Sequence, residues 1–153
     1  MITFTENAPA SLKQVKPYNL SAICQYLQIR YRVFIDELGR PISDFNIDDL
    51  IAKHYILKVR HTAIATVRVV YRKNHIAEIG RVAVLKKYRN LGYGAMLINQ
   101  AMEIVKTCNQ VNLIRLFSDS EKIKYYKKFG FIENGEVLFD DVPYIDMVTA
   151  INR

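Results

Sequence analysis

Arg89-Asn90-Leu91-Gly92-Tyr93-Gly94 stands between a strand-like run, IGRVAV, and a helix-like run, AMLINQAMEIV. Residues of these types at such a junction can hold an anion. The first backbone N–H groups of a helix lack partners within it and sit at the positive end of its dipole. Glycine lets a ligand come close to them, because no Cβ stands in the way. Phosphate suits such a turn, and Lys86, Lys87 and Arg89 add charge directly ahead of the glycines. The pattern is neither a Walker A loop, which needs Gly-Lys-Ser/Thr, nor the G-x-G-x-x-G of dinucleotide folds.

A second group is acidic. Asp36, Glu37, Asp44, Asp48 and Asp49 crowd one segment of a chain whose net charge is +7, so two sites of opposite charge are expected. The basic balance favours anionic partners. With scattered basic residues and neither an RNP-like nor a zinc-finger motif, nucleic acid is not the expected one. Cys24 and Cys108 show no CxxC spacing and no clustered histidines, so they read as reduced thiols, with no metal site and no disulfide. Two titratable groups fall in strand-like surroundings. His54 opens one run just after DDLIAK. Glu78 lies six residues before Val84, and in an alternating strand it shares a face with Val82 and Val84 unless a bulge intervenes.

The elements that must position these groups follow from periodicity. The 153 residues suit one domain, 1–153, able to bury about two thirds of the surface of its unfolded chain. Asn19 caps a helix through LSAICQYLQIRYRVF, with Ile23, Leu27 and Tyr31 on its apolar face. DELGRPISDFNIDDL reads as a loop with a short helical piece. HYILKVR, AIATVRVVY and HIAEIGRVAV are β-branched runs with short connections, which predicts an antiparallel meander. A helix follows from Gly92 to Thr107, then a strand, VNLIRLF. Ser118-x-x-Glu121 signals a capping box for a helix through Lys128, closed by Gly130. FIENGEVLFDDVPYIDMVTAI predicts two strands around an Asp-Val-Pro turn. The expected fold is α/β (α+β), a mixed, mostly antiparallel sheet of about six to seven strands with helices on both faces. No apolar run reaches the roughly 18 residues of a membrane span, and the N-terminus lacks a secretory pattern. A cytoplasmic protein is expected.

IGRVAVLKKYRNLGYGAMLINQAM followed by KIKYYKKFGFIENGE resembles the GNAT superfamily of acyl-CoA-dependent N-acyltransferases. Arg89-x-x-Gly92-x-Gly94 is similar to that family's Arg/Gln-x-x-Gly-x-Gly/Ala signature, and Tyr126-x-x-x-Gly130-Phe131 to its second helical motif. The likeness extends from Leu20 to Met147. It implies a GNAT fold and acetyl-CoA as co-substrate. It implies that the N–H groups of Leu91, Gly92, Tyr93 and Gly94 cradle the pyrophosphate, with Lys87, Arg89 and Asn90 alongside. The backbone at Val82, Ala83 and Val84 would pair with the pantetheine arm like an added strand. Tyr126 would be the acid that protonates the departing thiolate, and Glu78 the base.

Three departures stand out. Asn90 replaces a common glycine, although asparagine tolerates left-handed backbone. Lys86 replaces a frequent proline. Asp119 stands where relatives often carry Asn or Gln against the cofactor arm, and an ionised carboxylate cannot donate a hydrogen bond. IRYRVFIDELGRPISDFNIDDLIAKHYIL further resembles a subgroup of small bacterial GNAT proteins, in which it borders the acceptor pocket. Glu37, Asp48, Asp49 and His54 are therefore candidates to receive a cationic amine, with Arg30, Arg32 and Arg68 as competing ion partners of the acids.

The resulting expectation is an N-acetyltransferase. It would act on a primary amine, in a small molecule or on a protein lysine or N-terminus, by direct transfer in a ternary complex. A non-catalytic acyl-CoA sensor is the alternative. An acyl-homoserine-lactone synthase is a weaker one, since the chain is short for that family and lacks tryptophan. The acceptor, the base (Glu78, His54 or a water chain) and the oligomeric state, a homodimer included, stay open.

Overall fold

The computed structural model describes residues 9–153. Strand β1 (Ala10–Gln14) leads into helix α1 (Leu20–Arg30), which continues as a π-helical segment, Tyr31–Glu37. A 3-10 turn, Ile42–Asp44, and a short helix α2 (Asp48–Ile51) follow. Next come β2 (Lys53–Val59), β3 (Thr62–Arg72) and β4 (Ile76–Val84), a 3-10 turn at Lys86–Tyr88, and helix α3 (Tyr93–Lys106). Strand β5 (Leu113–Ser118), a 3-10 turn at Ser120–Lys122, helix α4 (Ile123–Lys127), β6 (Ile132–Phe139) and β7 (Val142–Ala150) complete the chain. The strands form one open seven-stranded sheet in the order β1-β2-β3-β4-β5-β7-β6. It is mixed and mostly antiparallel, as expected. The one parallel pair described, β4 with β5, sets Ile76–Glu78 against Leu113–Arg115. A parallel pair needs a crossover, and α3 provides it.

The described residues group into two compact units, one ending at Arg68 and resuming over Arg81–Leu97, the other comprising Val69–Gly80 with Ile98–Arg153. In the first unit Ile29, Val33 and Phe34 pack on Ala83, with Ala63 and Leu85 at the margin. Ala22, Tyr26 and Ile56 form a second cluster beside Val15 and Ala63. In the second unit β5 buries alternate residues, Ile114, Leu116 and Ser118, the two-residue period of a half-covered strand. Asp146 of β7 is buried there, held by Arg115 Nε at 3.0 Å and Asn134 Nδ2 at 2.9 Å.

One strand was not foreseen and three expectations are corrected. β1, to which the sequence reading assigned no element, pairs antiparallel with β2 from Ala10–Val59 to Gln14–Tyr55; an edge strand takes its order from backbone pairing rather than apolar content. The Asn19 cap is real, its side chain accepting from Ala22 N–H at 3.0 Å, but α1 buries Ala22, Tyr26, Ile29 and Arg30. Leu27 and Tyr31 are 43% and 46% exposed. Arg30 joins the buried face, where Asp44 and Asp49 receive its guanidinium. Ser118 forms no capping box: its hydroxyl donates to Asp119 C=O at 2.8 Å, and a 3-10 turn precedes a shorter α4. The last hairpin turns at Asp140-Asp141, whose φ angles are +49° and +64°, while Pro143 lies inside β7 opposite Leu138. Two central residues with positive φ give the hairpin turn whose twist matches the flanking strands.

Candidate active site

The loop after β4 arrives at α3 through two left-handed residues. Asn90 has φ +60° and Gly92 φ +84°, so asparagine does adopt the conformation its position demands. A Cβ built on Gly92 meets nothing within 4 Å, which means the backbone face there is open to a ligand. Met96 N–H donates to Gly92 C=O at 3.1 Å. The amides ahead of it, at Tyr93, Gly94 and Ala95, belong to the helix start, where ladder partners are lacking. Leu91, Lys86 and Lys87 are exposed, and Lys87 Nζ lies 5.7 Å from the Tyr88 ring centroid. The donor set, the clear space and the neighbouring cations fit a phosphate group.

Arg89 is held at both ends. Its Nε donates to Val84 C=O at 2.8 Å. Its Nη2 donates to Glu37 Oε1 at 3.0 Å, while Nη1 meets Glu37 Oε2. Such a fork on a carboxylate is charge-assisted and geometrically specific. The Arg89 hydrogen bond holds the Glu37 carboxyl below its ordinary range, outweighing a small effect of burial. Ala83, between Val82 and Val84, turns its side chain into the core against Ile29, Val33 and Phe34.

The acidic segment is an arginine network. Arg30 is fully buried; Nη1 donates to Asp49 Oδ1 at 2.6 Å and Nη2 to Asp44 C=O at 2.9 Å. Arg68, also buried, reaches Asp49 Oδ1 at 2.9 Å, Asn46 Oδ1 at 3.1 Å and Asp48 Oδ2 at 4.0 Å. Arg81 Nε donates to Asp44 C=O at 3.1 Å and lies 3.2 Å from Asp44 Oδ2. Burial pushes the Asp49 carboxyl up, but the hydrogen bonds from Arg30 and Arg68 outweigh it and hold it at about 2. His54 Nε2 bonds to Asp49 C=O at 2.8 Å, so that nitrogen carries the proton. The ring packs edge-on against Tyr26 at 4.7 Å, and burial lowers its pKa. Glu37, Asp48, Asp49 and His54, which the sequence offered to an amine, are thus engaged by groups of this chain. Arg30 and Arg68 are the ion partners foreseen; Arg32 is exposed.

Sequence reasoning counted Asp44 among the crowded acids but missed its partners Arg40 and Arg81. Asp44 is buried and accepts from both Arg30 and Arg81, with Arg40 at 3.6 Å. Arg81 has φ +52° inside β4, between Glu78 and Val82. The sequence signal was the crowding of acids; it pointed to Arg30 and Arg68 but not to Arg40 or Arg81.

In the second unit Glu78 is gripped by Arg72, with Nε–Oε2 at 3.1 Å and Nη2–Oε1 at 3.3 Å. Tyr126 on α4 is half-buried among aromatic rings, its centroid 5.3 Å from Tyr125 and 6.4 Å from Phe131. Asp119 lies at the start of the Ser120–Lys122 turn, 3.4 Å from Lys122 Nζ. Among the described residues no group of His, Cys, Asp and Glu is arranged to hold a metal.

The model of the acetyltransferase (GNAT) domain family matches residues 51–133, more than half of the chain. A Bacillus subtilis (strain 168) protein whose name proposes an acetyltransferase is 28% identical over 125 residues, spanning 78% of this chain and 84% of that one. The crystal structure of Escherichia coli ElaA is similar with TM-score 0.81 at 25% identity, over 92% of this chain and 99% of that chain. That of an acyl-CoA N-acyltransferase from Pseudomonas aeruginosa gives TM-score 0.78 at 24% identity, over 92% and 98%.

Proposed function

Because this chain belongs to the GNAT family and is therefore an acyltransferase, we propose that it moves the acetyl group of acetyl-CoA onto a primary amine, directly, in a ternary complex. The observation that carries this reading is the turn at the start of α3. Left-handed Asn90 and Gly92 and the clear space beside Gly92 suit a pyrophosphate on the amides of Leu91 to Gly94. A thioester co-substrate also agrees with the acyl-CoA N-acyltransferase of Pseudomonas aeruginosa, similar in fold. Val82 and Val84 supply backbone groups for the pantetheine arm, with Ala83 anchoring that stretch in the core.

In the reaction the amine nitrogen attacks the thioester carbonyl, the C–S bond breaks, and the thiolate takes a proton. A lysine-like amine is neutral in only about one molecule in 2,500 at pH 7, so its proton must leave first. Tyr126 is the acid at the sulfur in this reading. The Arg72 fork occupies both oxygens of Glu78, which favours a water chain over direct proton removal by that carboxylate. Neither cysteine is assigned a covalent role. Residues 1–153 are read as one catalytic domain, since β3, β4 and α3 each pass through both compact units. No helix among the described residues is long and apolar enough to cross a membrane, and we assign the enzyme to the cytoplasm.

A thermal melt with and without about 1 mM acetyl-CoA tests the reading. For a dissociation constant near 10 μM the ligand adds roughly 2.7 kcal/mol, or about 5–10 °C for a domain of this size. No shift with acetyl-CoA would leave the turn without its assigned occupant.

A further inference from the structure

The stretch proposed for the pantetheine arm, Val82 to Val84, is flanked by two arginines, and each is hooked by an acid from one short segment. Ahead of it, Arg81 holds a left-handed φ of +52° inside β4. That conformation is unfavourable for a side-chain-bearing residue and persists only where its surroundings fix it. The fixing contacts are Arg81 Nε to Asp44 C=O at 3.1 Å and to Asp44 Oδ2 at 3.2 Å. Behind it, Arg89 ties Val84 C=O through Nε at 2.8 Å and ends on both oxygens of Glu37. Between the hooks Ala83 is packed on Val33 and Phe34 of the π-helical segment. An i→i+5 winding places more residues in each turn than an α-helix does. Within the segment Val33 and Phe34 are buried while Glu37 is exposed and meets Arg89.

Resting on the acetyl-CoA reading, we infer that Glu37 and Asp44 are positioning residues for the co-substrate rather than receptors for the amine. Asp44 sets the kink that enters Val82–Val84, and Glu37, through Arg89, sets the exit and the glycine turn beyond it. Both oxygens of Glu37 are committed to the guanidinium, so an incoming ammonium would have to break a bidentate pair to use them. Charge alone predicts the opposite response to mutation: removing an acid near an anionic ligand should tighten binding. At a half-exposed pair that effect is screened. Misplacing a strand end disturbs several directional bonds to the ligand at once, so position outweighs charge.

The test is calorimetric titration of acetyl-CoA into the wild type, Glu37→Gln, Arg89→Lys and the double variant, with a melt of each. Acting through Arg89, Glu37→Gln should weaken binding about five- to tenfold in the wild type and less than about twofold in the Arg89→Lys background, with little change in melting temperature. Asp44→Asn risks unfolding, so Arg81→Gly tests the other hook: glycine keeps the left-handed backbone while the side chain is lost, and binding should again weaken several-fold. If Glu37→Gln binds acetyl-CoA as well as wild type or better, or loses the full factor in the Arg89→Lys background, the inference is overturned while the acetyl-CoA reading stands. Failure of the wild type to bind overturns both.

Discussion

Gly92 offers the sharpest test of the turn, because the structure supplies its own control. Gly92 and Gly130 have nearly the same φ, +84° and +89°. An added Cβ meets nothing within 4 Å at Gly92, and only Thr149 Oγ1, at an ordinary 3.6 Å, at Gly130. Replacing either by alanine therefore costs the backbone strain of a left-handed residue and no steric clash, about 1–2 kcal/mol. For a chain of this length that lowers the melting temperature by about 3–6 °C, equally in the two variants. Their cofactor affinities should part. At Gly92 the methyl projects beside the amides assigned to the pyrophosphate, and loss of close approach should weaken acetyl-CoA at least about tenfold, or about 1.4 kcal/mol. Gly130→Ala should bind within about twofold of wild type. Calorimetric titration well below both melting points separates affinity from stability. Equal affinity in Gly92→Ala and Gly130→Ala would refute the pyrophosphate assignment, whatever the enzyme's activity.

Tyr126→Phe should lower turnover on any amine found to react by about 100-fold while leaving acetyl-CoA affinity unchanged; equal turnover removes Tyr126 from the mechanism. The Asp49 carboxyl is held at about 2, below its unfolded value of about 3.9, so its ion pairs add stability, at most about 2.6 kcal/mol and less once solvent screening is counted, above pH ~4, and lose it as pH falls towards ~2. Urea unfolding should show the gap between wild type and Asp49→Asn narrowing across that window; a gap independent of pH would contradict the pairing. Replacing Asp140-Asp141 by Asn-Gly keeps the positive φ angles and removes adjacent like charges, and should raise the melting temperature by about 1–3 °C; a decrease would mean that the turn is held by its carboxylates.

The strands β2 to β5 and helix α3 were legible because local composition and burial agree there. β3 is a β-branched run with a buried middle, and sequence periodicity reports such burial directly. The glycine turn was legible for a different reason: left-handed backbone restricts residue type, so Asn90 and Gly92 announce their φ angles. The acidic segment stayed open between an acceptor site and an ion-pair network because a carboxylate looks the same in sequence whether it faces a substrate or a guanidinium. Asp49 meets Arg30 and Arg68, and Asp44 meets Arg30 and Arg81, partners 14 to 37 positions away. Arg30 shows the same limit in reverse. A helical arginine reads as surface, and its full burial follows only once two aspartates close over it. Glu78 repeats the point: its place in a strand does not announce the Arg72 fork that occupies both its oxygens.

The sheet ends at β6, and that margin governs how the protein behaves when concentrated. Ile132, Leu138 and Phe139 are exposed on it, a composition that in a flat strand would recruit further strands and nucleate precipitate. The ladder with β7 slips by one residue between Glu133 and Glu136, around Gly135 at φ +120°. A bulge there twists the outer hydrogen-bonding groups away from a straight line, and two glutamates flank it. The apolar margin is tolerable because it is crooked and charged, and straightening it would cost solubility before it cost catalysis.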